Sequence, residues 1–352
     1  ARVGGDECVA ILRNVSDRQG LDEVLEKLLQ SFRKPIELDG REIFTGVSIG
    51  TALYPDDGTL PDELLRNADI AMNEAKARGR NRASRFYPAL VEAASLRFEL
   101  DAAMRTGLEN GEFSLVYQPQ VDLASLRLAG LEALVRWHRP GHGPVSPAVF
   151  IPIAEASGRI VEIDDWVLNE ACRQARLWQD AGVEFHRISV NLSALDLGGR
   201  NVVERILSTI ERHGISPSML GVEVTESTVM ENVDAAFERL RALRDAGVFV
   251  SIDDFGTGYS SLSYLKRLQV NELKIDKSFI DDLPLEENDR AICEAIIQMG
   301  RHLGLEVIAE GVETASQASF LQDEGCARAQ GYWFARPQTP EELVVWMEEW
   351  LL

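Results

Sequence analysis

Beyond Gly111 the chain alternates short β-branched runs with stretches whose apolar residues recur every third or fourth position. The pattern predicts strands at Phe113–Val121, Leu128–Arg136, Arg187–Asn191, Leu220–Val224, Phe249–Ile252, Glu272–Ile275, Leu305–Ala309 and Ala327–Gln330. Helical spacing between them predicts helices at Ile160–Ala181, Val202–His213, Val233–Ala246, Asn288–Leu303 and Thr314–Gly325. Eight strands with intervening helices predict an α/β fold, a TIM-like (β/α)8 barrel. Only the segment Asp122–Arg127 separates the first two strands, too short for a parallel crossover, so an antiparallel opening hairpin and an irregular barrel are expected. Leu343, Trp346, Met347 and Trp350 close the chain at helical spacing, as core or as a subunit contact.

Upstream, residues 1–88 read as a separate α+β segment. A strand at Cys8–Leu12 precedes a helix at Leu21–Phe32, strand pairs around Ile36–Leu38 and Phe44–Leu53, and a helix at Pro61–Ala77 closed by the turn Arg78–Asn81. Leu96, Leu100, Met104 and Leu108 recur every four residues, which makes residues 89–110 a linking helix and leaves residues 111–352 for the barrel.

Composition narrows the partners. The formal net charge of −21 disfavours a DNA or RNA polymer or an anionic membrane surface, since both are bound by clustered Lys and Arg. Cys8, Cys172, Cys293 and Cys326 match no metal-ligand spacing and are expected as buried thiols in a reducing, cytoplasmic setting. There is no membrane span and no signal peptide before Ala1, and the chain opens in what reads as mid-hairpin. Further sequence upstream, with any sensor or membrane segment it carries, is therefore expected.

The candidate chemistry starts at Val248-Phe249-Val250-Ser251-Ile252-Asp253-Asp254-Phe255-Gly256-Thr257-Gly258, a buried-strand pattern that runs into two adjacent carboxylates and a Gly-x-Gly turn. An Asp pair can simply cap a turn before a helix starting near Ser260. Similar positions nevertheless recur. Glu132 lies in an apolar run where an unpaired charge is costly, Asn191 and Glu310 end strands, and Glu223 and Lys274 stand within them. From Asn191 the steps to Glu223, Asp253, Lys274 and Glu310 are 32, 30, 21 and 36 residues, each compatible with one strand–helix unit. Singly, these residues read as a helix cap, a surface carboxylate or an ion pair. Gathered at one barrel mouth, the carboxylates would repel one another unless divalent cations held them. Oxygen ligands without His or Cys favour Mg²⁺ or Mn²⁺, and a bridging Asp suits two ions about 3.5–4 Å apart, the arrangement that cleaves phosphodiesters.

Glu132-Ala133-Leu134, Asp253-Asp254-Phe255-Gly256-Thr257-Gly258 and Lys274-Ile275-Asp276, in this order, resemble the EAL family of cyclic di-GMP phosphodiesterases from about Leu96 to Leu352. The resemblance implies hydrolysis of cyclic di-GMP to linear pGpG by a barrel with one antiparallel strand and two Mg²⁺ or Mn²⁺ ions. It makes Glu132, Asn191, Glu223 and Asp253 ligands of one ion and Asp253 and Asp254 ligands of the other. Glu310 becomes the general base, and Lys274 the residue that holds the attacking water. Gln118, Leu134, Arg136, Asp276 and Gln330 fall at nucleotide-contacting positions, and Glu226 and Glu313 at supporting ones. Glu226 in particular matches the acid that braces the loop after Asp253.

Gly4-Gly5-Asp6-Glu7, Val47-Ser48-Ile49-Gly50 and Ala68-Asp69-Ile70-Ala71-Met72 resemble the C-terminal part of a GGDEF domain, the diguanylate cyclase family, with Cys8 where Phe is usual. The upstream half of that domain's site is not in this chain, so cyclase activity is not expected from it. Within the EAL family a metal-free receptor for cyclic di-GMP is the alternative to an enzyme, and a homodimer through the barrel is a further expectation.

Overall fold

The structure, a computed structural model, describes every residue except 14–17, 39–40, 44, 78, 80, 258–268 and 351–352. The chain divides into two compact units, Ala1–Ala102 and Ala103–Leu352.

In the first unit, β1 (Arg2–Gly4) and β2 (Glu7–Cys8) form an antiparallel hairpin whose turn has Gly5 at φ +52°, a left-handed value that glycine adopts without strain. β3 (Ile36–Leu38) pairs antiparallel with β4 (Arg41–Ile43), and β5 (Ile49–Thr51) pairs parallel with β6 (Ala83–Arg85). The helix Arg18–Arg33 buries Leu21, Leu25 and Leu29 at four-residue spacing. The helix Pro61–Ala77 packs so closely on β5 that a Cβ at Gly50 would stand 2.0 Å from Ala68 O.

Two expected strands shrink. The hairpin pairs only Arg2 with Cys8 and Gly4 with Glu7, so Ile11 and Leu12 gain no ladder partner and stand exposed. Among the described residues of the run Phe44–Leu53, only β5 is strand, and its partner β6 was not foreseen. Phe44, and Arg78 and Arg80 of the expected closing turn, lie outside the described residues, as does the helix expected near Ser260. Cys172, Cys293 and Cys326 are buried thiols, whereas Cys8, on the short hairpin, is exposed.

In the second unit, β7 (Phe113–Asp122), β8 (Leu128–Arg139), β10 (Ile188–Asn191), β11 (Leu220–Thr225), β12 (Phe249–Phe255), β13 (Glu272–Ile275), β14 (Glu306–Ala309) and β15 (Arg328–Gln330) close into an eight-stranded barrel. β7 is antiparallel to both its neighbours, β8 and β15, and all other barrel pairings are parallel. A ninth strand, β9 (Gly143–Val145), extends β8 outside the barrel. Apart from β9 and the helix Pro147–Ser157, the larger elements lie where the hydrophobic pattern puts them, because period-2 and period-3.6 burial are both local properties. The closing helix Pro340–Trp350 buries Leu343 and Met347, and Trp350 donates its Nε1–H to Leu126 O at 2.6 Å. No described helix is long and apolar enough to cross a membrane.

Candidate active site

The parallel strands carry their chemical side chains to the barrel's C-terminal mouth. Cross-strand register aligns Asn191 with Glu223, Thr225 with Asp253, and Gln118 with Glu132 across the antiparallel pair. Glu310 follows β14 directly, and its N–H donates to Ile275 O at 3.1 Å.

Lys274, on β13, stands at the centre with no exposed surface. Its Nζ contacts Glu223 Oε2 directly and lies 2.6 Å from Glu310 Oε1, 3.4 Å from Asp253 Oδ1 and 3.8 Å from Glu132 Oε2. Burial is the largest single influence on its ammonium and opposes the charge. Asp253, Glu132, Glu223 and Glu310 together outweigh it and hold the pKa well above the ordinary lysine value. Burial likewise pushes the Glu223 and Glu310 carboxyls up, Lys274 opposing and the neighbouring carboxylates adding to the shift.

Glu132 is held from two sides. Asn191 Nδ2 donates to its Oε1 at 2.9 Å, and Gln330 Nε2 donates to its Oε2. Gln330 Nε2 also reaches Gln118 Oε1 at 3.1 Å, and Gln118 Nε2 donates to Ala335 O at 3.1 Å. Gln330, braced by Gln118, thus orients the Glu132 carboxylate; both were expected at nucleotide-contacting positions.

Asp253 accepts the N–H of Asp254 at 2.9 Å, and Asp254 itself has φ +52°, unusual outside glycine. Burial, then the charge of Asp253, then that of Asp276 raise the Asp254 carboxyl to about 6. Asp276 in turn accepts Ser278 N–H at 3.0 Å as the cap of the short turn Lys277–Phe279. Glu226 Oε2 accepts Gly256 N–H at 3.1 Å, tying the start of the helix Glu226–Glu231 to the segment that leaves Asp253. Gly258 and the residues after it to 268 lie outside the described residues. Leu134 and Arg136 lie two and four positions beyond Glu132 on β8, both half-buried, and Arg136 Nη1 donates to Val135 O at 2.9 Å. Glu313 stands apart from the cluster, exposed and paired with Lys277.

The donor set suits a hard divalent cation. One ammonium faces four carboxylates, and Glu223 Oε1 is buried without a partner. Among the described residues, no three acidic, His or Cys side chains close to ligating distance of one another; the carboxylates are instead arranged around Lys274 Nζ. Among the buried acids that sequence reasoning passed over, Glu272 stands two residues before Lys274, which gives both the same strand face.

The EAL domain model matches residues 101–337, and the model of the diguanylate cyclase GGDEF domain matches residues 1–82. The bifunctional diguanylate cyclase/cyclic di-GMP phosphodiesterase MucR of Pseudomonas aeruginosa is 45% identical over 346 residues, 98% of this chain and 50% of MucR. The cyclic di-GMP phosphodiesterase NbdA of the same organism is 43% identical over 337 residues, 96% of this chain and 43% of NbdA. The chain thus spans about half the length of these relatives. Among solved structures, the PaMucR phosphodiesterase in complex with c-di-GMP is 48% identical with a TM-score of 0.67, covering 70% of this chain and 99% of that one.

Proposed function

The chain belongs to the EAL domain family, and from that premise we propose that its barrel hydrolyses cyclic di-GMP to linear 5′-pGpG. The observation that carries this reading is the cluster around Lys274, a single buried ammonium among carboxylates from β8, β11, β12 and the end of β14. So many acids serve a nucleotide substrate only if cations offset them.

Glu132, Asn191, Glu223 and Asp253 would hold one Mg²⁺ or Mn²⁺ ion, and Asp253 and Asp254 the second. The ions would neutralise the phosphodiester oxygens and acidify the attacking water. Glu310 accepts that water's proton as its oxygen attacks phosphorus in line. The P–O3′ bond breaks, the leaving O3′ takes a proton from bulk water to become the 3′-hydroxyl, and the 5′-phosphate of pGpG remains. Lys274 orients the water and stabilises the ionised form of Glu310. Gln118, Leu134, Arg136, Asp276 and Gln330 position the nucleotide, and Glu226 steadies the backbone after Asp253. We assign residues 1–88 to the C-terminal part of a GGDEF-type domain, 89–110 to a linking helix and 111–352 to the phosphodiesterase barrel.

Incubation with cyclic di-GMP in Mg²⁺, in Mn²⁺ and in EDTA, with chromatographic detection of pGpG, tests the reading. Product with either ion and none in EDTA is expected. A chain that binds cyclic di-GMP but never forms pGpG is a receptor, and the enzymatic reading falls.

A further inference from the structure

TIM barrels usually fill their interior with layers of bulky, branched side chains. This one carries a second polar layer below the first. Two positions before Asn191, Glu223, Asp253, Lys274 and Gln330, on the same strand faces, stand Ser189, Gly221, Ser251, Glu272 and Arg328. Two positions from Gln118 and Glu132 stand Gln120 and Gly130. The two glycines make room for polar neighbours: a Cβ at Gly221 would lie 2.4 Å from Ser189 Oγ, and one at Gly130 would lie 2.6 Å from Gln120 Oε1.

The layer is organised on Glu272, which is fully buried. It accepts Ser251 Oγ–H at 3.0 Å, Arg187 Nη2–H at 3.3 Å and Arg328 Nη1–H at 3.1 Å. Arg187, 6% exposed, stands over the ring of Phe249, its Cζ 3.5 Å from the centroid. Four buried atoms in and beside this layer have no hydrogen-bond partner: Arg187 Nε, Ser189 Oγ, and both the Nε2 and the Oε1 of Gln120. Leaving buried polar groups unpaired is costly, on the order of 1–3 kcal/mol each, and of these three residues Arg187 also lines the cavity below.

A cavity of about 480 Å³ opens just below, where β8, β10 and β15 begin. Arg127, Arg187, Arg328, His186, Ser125 and Ser218 line it, with Leu128 and Ala129 as apolar wall. Asp122, the only acid among the described lining residues, is turned to Ser125, whose N–H and Oγ–H it accepts at 2.7 Å each. Glu272 and Glu306 anchor Arg187 and Arg328 from one side, whereas Arg127 makes no ion pair among the described residues. Burial lowers the pKa of Arg187, Glu272 opposing and Arg328 adding to the shift.

We propose that this N-terminal mouth is a second ligand site, built for a small phosphate-bearing molecule and separate from the carboxylate mouth at the other end of the barrel. Guanidinium forks match phosphate oxygens in charge and geometry. The volume falls in the range of small-molecule pockets, about 300–1,000 Å³, which leaves space for an organic body beside the phosphate.

Calorimetric titration of the whole chain in EDTA with inorganic phosphate, and separately with 5′-GMP, tests the assignment. One saturable site per chain is expected, and it should persist in Asp253→Asn. Arg127→Gln and Ser218→Glu, both on the exposed rim, should each weaken it at least about tenfold, the loss expected when a charge-assisted contact is removed or opposed. Binding of phosphate without 5′-GMP would identify the free ion as the ligand, and binding of both an organophosphate. No saturable binding of either probe in the millimolar range, affinity unchanged by both rim substitutions, or binding lost in Asp253→Asn would overturn the proposal.

Discussion

Lys274 Nζ and Glu223 Oε2 meet in direct contact inside the barrel, and neither side chain exposes any surface. Three further carboxylates, those of Glu132, Asp253 and Glu310, lie within 4 Å of the same ammonium. Much of the metal-free site therefore depends on one positive charge.

Lys274→Met should destabilise the metal-free protein by about 3–5 kcal/mol, the usual cost of stranding a buried charge partner. Divalent cations would replace the missing charge. Thermal melts should show a deficit in EDTA that falls by at least half in saturating Mg²⁺; an equal deficit in both would detach Lys274 from cation binding.

Glu226 holds Gly256 N–H at 3.1 Å without joining the carboxylates around Lys274. Glu226→Ala should lower turnover and metal affinity about 10–100-fold, the usual effect of releasing a group that orients ligands. Glu226→Gln keeps an acceptor oxygen and should recover most of the loss. Metal titrations and kinetics indistinguishable from wild type in the alanine variant would reduce Glu226 to a structural acid.

Glu310→Gln should separate binding from chemistry. The amide keeps the side chain's shape but takes no proton, so hydrolysis should slow at least about 10²-fold while cyclic di-GMP still binds. Calorimetry in Ca²⁺ and detection of pGpG in Mg²⁺ read the two effects. Undiminished pGpG formation would place the base elsewhere, and lost binding would place Glu310 among the groups that hold the substrate or the ions.

Asp164 tests the barrel's pH dependence away from the site. It accepts Ser193 N–H at 3.1 Å and Oγ–H at 2.6 Å, and burial raises its carboxyl from the ordinary 3.8 to about 7 despite these bonds. Between those values the folded chain binds the extra proton. Its stabilising contribution is therefore complete below about pH 4 and is lost as pH rises through about 7. Asp164→Asn keeps an acceptor for Ser193 and does not titrate. Its melting point should gain on wild type between pH 5 and pH 8, by the equivalent of about 1–3 kcal/mol at one pKa unit per ~1.4 kcal/mol. A pH-independent difference would mean Asp164 is ionised throughout.

The barrel could be read from the chain alone, because strand and helix periodicity are local properties. Alternation at period 2 and 3.6 marked the barrel strands and most of its helices, and the short Asp122–Arg127 connection required the antiparallel start that β7 has. Motif order was enough to name Glu132, Asp253, Lys274 and Glu310. Tertiary structure alone decided how they meet. Lys274 faces Glu132, 142 residues earlier, only because β15 returns to pair with β7 and closes the ring. The same closure set Gln330 on Glu132 and gathered Arg187, Glu272 and Arg328 into a lower polar layer whose members look ordinary in sequence. Strand periodicity tells which face a side chain takes, but the charges it meets there come from strands far away in sequence, and the energy of a buried charge depends on those neighbours.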